Sequence, residues 1–209
     1  GILWNATELR RYIAEEDFFT LPPIKVEGFP DIKVLPGNEL IEAIDDAYGQ
    51  VGMDDTIVVC RSNKRANIYN KGIRNMILYR EEELESGDLL MVAKNNYFWA
   101  EGSKEIDFIA NGDVARVSRV RGTHKMYGFR YADVTLEFPD HNNIEVDAKV
   151  ILDGLFSDSP ALSREQSERL FTEIYAELEG DKRALCKARK QQPYPRAVEV
   201  KYASTVAGH

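Results

Sequence analysis

At Gly87 the apolar pattern of the chain changes period, so a single layer type cannot account for both sides of that point. Downstream, "DLLMVAKNNYFW", "IDFIANGDVARVSRV", "YGFRYADVTLEF" and "NIEVDAKVIL" read as strand-like segments separated by turn signals such as His141-Asn142-Asn143. Asn111-Gly112-Asp113 has the composition of a tight hairpin turn. Short strands packed this closely in sequence predict a small barrel.

Upstream the spacing is mostly helical. Residues 5–16, "NATELRRYIAEE", predict a helix behind a Thr7 cap, with Leu9, Tyr12 and Ile13 on one face. A Pro- and Gly-rich loop and a short strand over Ile32–Leu35 follow. "NELIEAIDDAYGQVG" is an amphipathic helix with Leu40, Ile41, Ile44 and Tyr48 inward and Gly49 to Gly52 as its stop. "DDTIVVC" is a β-branched run of the kind buried on both faces of a parallel sheet. Behind it, Ala66, Tyr69, Ile73 and Ile77 recur at helical spacing. Strand, helix, strand, helix predicts a layered α/β sheet. Beyond the barrel segments, Ser163 and Gln166 in capping-box register open a helix with the stripe Leu170, Phe171, Ile174 and Leu178. A basic helical stretch runs to "QQPYPR", and "AVEVKYASTVAG" returns to β-branched alternation, as if rejoining the first sheet.

Composition narrows the function classes. The 209 residues are 44% hydrophobic and 30% charged, which suits a folded protein with one sizeable core. No apolar run is long enough to span a bilayer, so no membrane partner is expected. Cys60 and Cys186 make no metal spacing with His124, His141 and His209, and a reduced, cytoplasmic setting is the simplest reading. The phosphate loop, H-E-x-x-H and G-x-S-x-G are all absent from the sequence. No complete catalytic constellation can be assembled. The start at Gly1-Ile2-Leu3-Trp4, without Met, and the ending "YASTVAGH" read as cuts through a longer protein.

The net charge is -8, yet the cations are grouped. No Asp or Glu lies between Val58 and Tyr79, which hold Arg61, Lys64, Arg65, Lys71 and Arg74. The same is true of Val114 to Ala132, with Arg116, Arg119, Arg121, Lys125 and Arg130. Lys182, Arg183, Lys187, Arg189 and Lys190 form a third cluster. Arg61-Ser62-Asn63 falls where a strand ends and a helix begins near Lys64, the place where open α/β sheets bind ligands. A helix start offers free N–H groups and a positive dipole end, Ser62 or Asn63 caps it or meets a phosphate oxygen, and Arg61 and Arg65 supply charge. The plainer alternative is a cap flanked by solvated cations. Lys94-Asn95-Asn96-Tyr97, followed by Phe98 and Trp99, interleaves a cation, amides and aromatics, which suits unstacked bases, or else serves as barrel core.

"IVVCRSNKRANIYNKGIR" resembles the strand-loop-helix in the second motor domain of superfamily 1 helicases. "GDLLMVAKNNY…FIANGD" is similar to the G-D-x-x-M-x-x-x-N-x-Y…N-G-D signature of their RecD-like branch, with Ala115 where that branch usually has Gly. "YASTVAGH" resembles the start of a motif that normally continues as H-K-[SA]-Q-G, with Ala207 where Thr is expected. "GILWNATELRRYI" looks like the segment after that branch's arginine motif. The resemblance implies an incomplete RecA-like parallel sheet layer, residues 1–86 plus 193–209, carrying an inserted SH3-like β-barrel at 87–153 and a helical excursion at 154–192. It implies an ATP-dependent DNA helicase moving 5′ to 3′ on single-stranded DNA in repair or recombination. Arg61, Ser62 and Asn63 match the loop nearest the DNA backbone or the interdomain cleft. Lys94, Asn95, Asn96 and Tyr97 match the root of the barrel, and Thr205 and His209 the DNA-contacting motif. ATP and Mg²⁺ would then belong to the full-length parent, bound with a missing N-terminal motor domain, and this piece alone is expected to hydrolyse no ATP. The alternatives are a stand-alone nucleic-acid-binding module and an adaptor whose barrel aromatics hold a peptide.

Overall fold

Gly1–Asp46 forms one unit and Ala47–His209 another in the computed structural model, which describes residues 1–101, 105–159, 161–178 and 180–207. The first unit holds helix α1 (Ile2–Ala14) and most of helix α2 (Leu40–Val51), joined by a segment without regular structure until the short 3₁₀ turn Gly37–Glu39. Helix α1 begins three residues before the expected Asn5. Thr7 is no cap: it lies inside the helix and donates its hydroxyl to the Leu3 carbonyl at 2.9 Å. The buried Asn5 carboxamide instead ties the return loop to the helix. It accepts from Lys25 N at 2.8 Å and donates to the Lys25 carbonyl at 2.9 Å. The expected strand at Ile32–Leu35 does not form, since no strand is present among the described residues of this unit to pair with it. The expected 1–86 grouping is thereby divided at Asp46.

The second unit continues with strand β1 (Val58–Cys60), helix α3 (Asn63–Gly72) and a π-helical turn over Ile73–Ile77. Strands β2 (Leu89–Val92), β3 (Val114–Met126), β4 (Phe129–Phe138) and β5 (Ile144–Ile151) come next. Helices α4 (Arg164–Glu177) and α5 (Lys182–Gln191) precede strands β6 (Val198–Tyr202) and β7 (Thr205–Ala207). The protein is therefore mixed α/β, with a closed barrel of β2-β3-β4-β5-β6 and a separate two-stranded parallel sheet of β1 and β7.

The barrel core follows the period-2 pattern. Ala132, Val134, Leu136 and Phe138 of β4 and Val146, Ala148 and Val150 of β5 share the interior with Leu90, Val92, Val117, Val198 and Val200. Each buried Val, Leu or Phe among them contributes roughly 1.5–3 kcal/mol. Closure leaves no free sheet edge in the barrel, which a five-stranded open sheet would have exposed.

Two expectations need correction. The barrel does not end near residue 153, because its fifth strand is β6, from the segment read as rejoining the first sheet. Strand β6 pairs antiparallel with β2 and parallel with β5, through Val150 and Val198. Parallel neighbours cannot be joined by a hairpin and need a long crossover. The helical excursion supplies it, so α4 and α5 lie within the barrel's connectivity rather than beyond it. Leu170 and Ile174 of α4 pack with Phe129, Tyr131 and Ile151 in a second core, behind the Ser163–Gln166 capping box. The β-branched run at β1 is also not buried on both faces. Cys60 is buried, but Ile57 and Val59 are 71% and 66% exposed, because the sheet has two strands and α3 covers one side.

Candidate nucleic-acid interface

Strand β1 ends at the buried Cys60, which lies in register with Ala207 of β7, and α3 starts three residues later. Ser62 is the N-cap of that helix: it is extended (φ -152°, ψ 155°), and its Oγ accepts from Arg65 N at 3.4 Å. Such a long bond is weak, and it leaves the hydroxyl exposed beside Arg61, Lys64 and Arg65, with Asn63 half-buried at the first helical position. No acid falls in the first turn of α3. Thr205 is the exception in this group. It is 3% exposed, and its hydroxyl donates to the Ala66 carbonyl at 3.1 Å. Thr205 is thus a strut between β7 and α3, and the expected DNA contact at this residue is corrected: polar side chains near a sheet end also serve the backbone. Burial pushes the Cys60 thiol upward, so it remains a neutral packing group. His209 lies outside the described residues.

The first two basic stretches differ in their partners. In the second, Arg116 grips Asp54 at 2.6 and 2.8 Å, Arg121 pairs with Asp147, and Arg130 pairs with Glu83 at 2.7 Å and Asp153 at 3.3 Å. Cations and acids that alternate in blocks along the chain are neighbours in space. In the first stretch, Arg74 is 4% exposed and donates to both oxygens of the buried Asp88 at 2.9 Å. Arg61, Lys64, Arg65 and Lys71 are exposed and have no ion-pair partner among the described residues. Lys125 of the second stretch and Lys182, Arg183 and Lys187 of the third are likewise exposed without an ion-pair partner among the described residues, so what sets the turn after Cys60 apart is its place at the end of a parallel strand and the start of α3.

Lys94, Asn95, Asn96 and Tyr97 follow β2 and line a small cleft of about 110 Å³ with Pro195, Arg196, Ala197 and Glu199. Lys94 Nζ lies 3.3 Å from Glu199, whose other oxygen accepts from Leu162 N at 2.8 Å. Asn95 Oδ1 accepts from Asn111 N at 2.7 Å. Asn96 departs from expectation: it is buried, donates to the Arg196 carbonyl at 2.7 Å and accepts from Phe98 N and Trp99 N. Its amide shapes the loop and is not available to a ligand. Tyr97 is 62% exposed and stacks on Phe108 at 4.9 Å with an interplanar angle of 26°. Phe108 was not singled out from the sequence; its pairing with Tyr97 depends on the Asn96–Ile109 bridge, which leaves no local signal.

The two groups are not brought together. Lys94–Tyr97 sit beside the start of β6, where Ala93 N donates to Glu199 O at 2.8 Å. The turn after Cys60 lies beyond the end of β7. Eight residues of chain run from Glu199 to Ala207 between those points.

Lys201, buried on β6, donates to the carbonyls of Gly154 (3.2 Å) and Ser157 (2.6 Å), and burial pushes its ammonium pKa down. Asn67 of α3 holds the same loop through Phe156 O, Ser157 O and Asp158. The helix carrying the free cations is thereby braced against the crossover.

Among the described residues no helix is long and apolar enough to cross a membrane, and no group of three His, Cys, Asp or Glu side chains is placed to hold a metal ion. No family model matches the chain, and no curated protein matches it.

Proposed function

We propose that this chain is part of the second motor domain of a superfamily 1 DNA helicase of the RecD-like branch, working on single-stranded DNA in the cytoplasm. In this reading β1, β7 and α3 are a portion of a RecA-like layer and the closed barrel is its SH3-like insertion. The observation that carries it is the placing of the exposed cations Arg61, Lys64 and Arg65, without an ion-pair partner among the described residues, at the carboxyl end of a parallel strand and the start of a helix. Motif order along the chain supports it, and so do the open faces of Ile57 and Val59, which a fuller sheet would cover.

In this reading ATP and Mg²⁺ belong to the parent's other motor domain, in keeping with the absence of a phosphate loop from this sequence. No step of phosphoryl transfer is assigned to this chain. Its role is to grip phosphates and carry that grip, through α3 and the Asn70 amide that donates to Tyr202 O at 3.1 Å, to the barrel.

The test is single-strand binding against salt. Each phosphate contact on a single strand contributes about 0.7 to the log-log slope, so Arg61→Ala with Arg65→Ala should weaken oligo-dT binding and flatten the slope by about 1.4. An unchanged slope and affinity would remove the basis for the reading. DNA-stimulated ATPase on joining the chain to a motor domain with a phosphate loop favours the motor; strand binding without stimulation favours a stand-alone binding module.

A further inference from the structure

We propose that Tyr97 and Phe108 form a shelf on which one base of a single strand stacks, while Lys94 and Asn95 hold the adjoining sugar-phosphate. The inference rests on the reading that this chain binds single-stranded nucleic acid, and it adds a subsite built from residues other than those of the cationic turn.

Four observations carry it. The Tyr97 and Phe108 rings are stacked, yet Tyr97 remains 62% and Phe108 36% exposed, so the stack leaves most of the tyrosine surface open. A preformed stack costs a ligand little side-chain ordering. Asn95 uses its oxygen to accept from Asn111 N, which leaves its Nδ2 hydrogens without a partner among the described residues. Lys94 Nζ stands on the same rim, 64% exposed and ion-paired at 3.3 Å with Glu199 Oε1, so a phosphate would share its charge with that acid. The floor is fixed by the Asn96 amide and by Trp99 Nε1, both donating to the Arg196 carbonyl, at 2.7 and 2.8 Å.

A flat π surface beside an amide donor and a cation matches an unstacked base with its phosphate. A duplex base is already stacked and cannot enter, so the shelf selects single strands. It does not select sequence, because every base presents a π face. A proline-rich peptide, the other guest of aromatic surfaces, has no phosphate for Lys94.

The experiment measures binding of the whole chain to fluorescein-labelled oligo-dT, and to an equal-length strand whose bases are replaced by abasic sites. Tyr97→Ala should weaken oligo-dT binding roughly tenfold, the range of one lost base stack. It should leave the abasic strand and the salt slope unchanged. Tyr97→Phe should keep the affinity, and Phe108→Ala should lose part of it. The Tyr97 side chain is mostly exposed, so an unchanged melting temperature is expected and serves as the folding check. If Tyr97→Ala binds oligo-dT like the parent while Arg61→Ala/Arg65→Ala is weakened, the shelf is wrong and the helicase reading stands. If Tyr97→Ala is weakened and the arginine pair is not, the shelf stands and the cationic turn loses its role. Equal affinity of the parent for the abasic and base-bearing strands, or no binding to either, overturns the proposal.

Discussion

Arg74 shows how a single residue can be read correctly as basic and wrongly as surface. It sits on the π-helical turn, donates to Asp88 and to the Glu82 carbonyl (2.8 Å), and lies 4.6 Å from the centre of the Tyr202 ring. Asp88 also accepts from Glu85 N at 2.8 Å, and Tyr202 donates its hydroxyl to the Glu83 carbonyl. A buried charge left without its partner costs about 3–5 kcal/mol. Arg74→Ala should therefore lower the urea midpoint by that equivalent, and Arg74→Met with Asp88→Leu should recover part of the loss. A cost below about 1 kcal/mol would mean that water replaces the guanidinium. At this scale most local roles were legible, Thr7 excepted because α1 begins a turn earlier than its spacing suggests, and distant ones were not. Ser62 as a cap and Ser163 with Gln166 as a capping box follow from neighbours three residues away. Asn96 and Thr205 were misread because their partners, Arg196 and Ala66, lie 100 and 139 residues off.

The elements of the barrel were legible because alternation survives in any register, whereas their order in the sheet was not. Val198–Tyr202 reads as a strand whether it joins β1 or β2, and only the crossover through α4 and α5 decides it. The β3–β4 hairpin is set by its turn. Tyr127 and Gly128 both have positive φ, 51° and 72°, the geometry whose twist matches the flanking strands. A methyl group at Gly128 would stand 2.8 Å from an Arg169 nitrogen, a side-chain end that can swing away, so the penalty is in the backbone. Gly128→Ala should then cost about 1–2 kcal/mol, the strain of a left-handed residue bearing Cβ. Thermal melting checks the magnitude. Gly122→Ala is the control, because that position has negative φ and open space around its Cβ. Equal melting temperatures for the two variants would show that the turn does not constrain the hairpin.

Across the whole molecule, apolar burial is divided unevenly. The barrel encloses Leu90, Val92, Val117, Leu136, Phe138 and Val150 at almost no exposure. In Gly1–Asp46, Ile44 is the single buried apolar residue among those described, while Phe18, Phe19, Leu21, Ile24 and Val34 are all more than half exposed. Local opening follows buried contact, so the two units should exchange amide hydrogens on different scales. In deuterium exchange of the whole chain, α1 and the loop behind it should label early, and β2, β4 and β5 should stay protected until global unfolding. Proteolysis should cut first between residues 15 and 36, where the backbone is without helix or strand until Gly37. The remaining piece should melt at the temperature of the intact chain, because the contacts that set that temperature lie within the barrel. If α1 proved as protected as β4, burial within this chain would not govern its stability. In the motor reading, the exposed apolar side chains of Gly1–Asp46 are the surface that a neighbouring motor domain covers. Addition of that domain should then slow exchange in α1 and leave the barrel strands as they were.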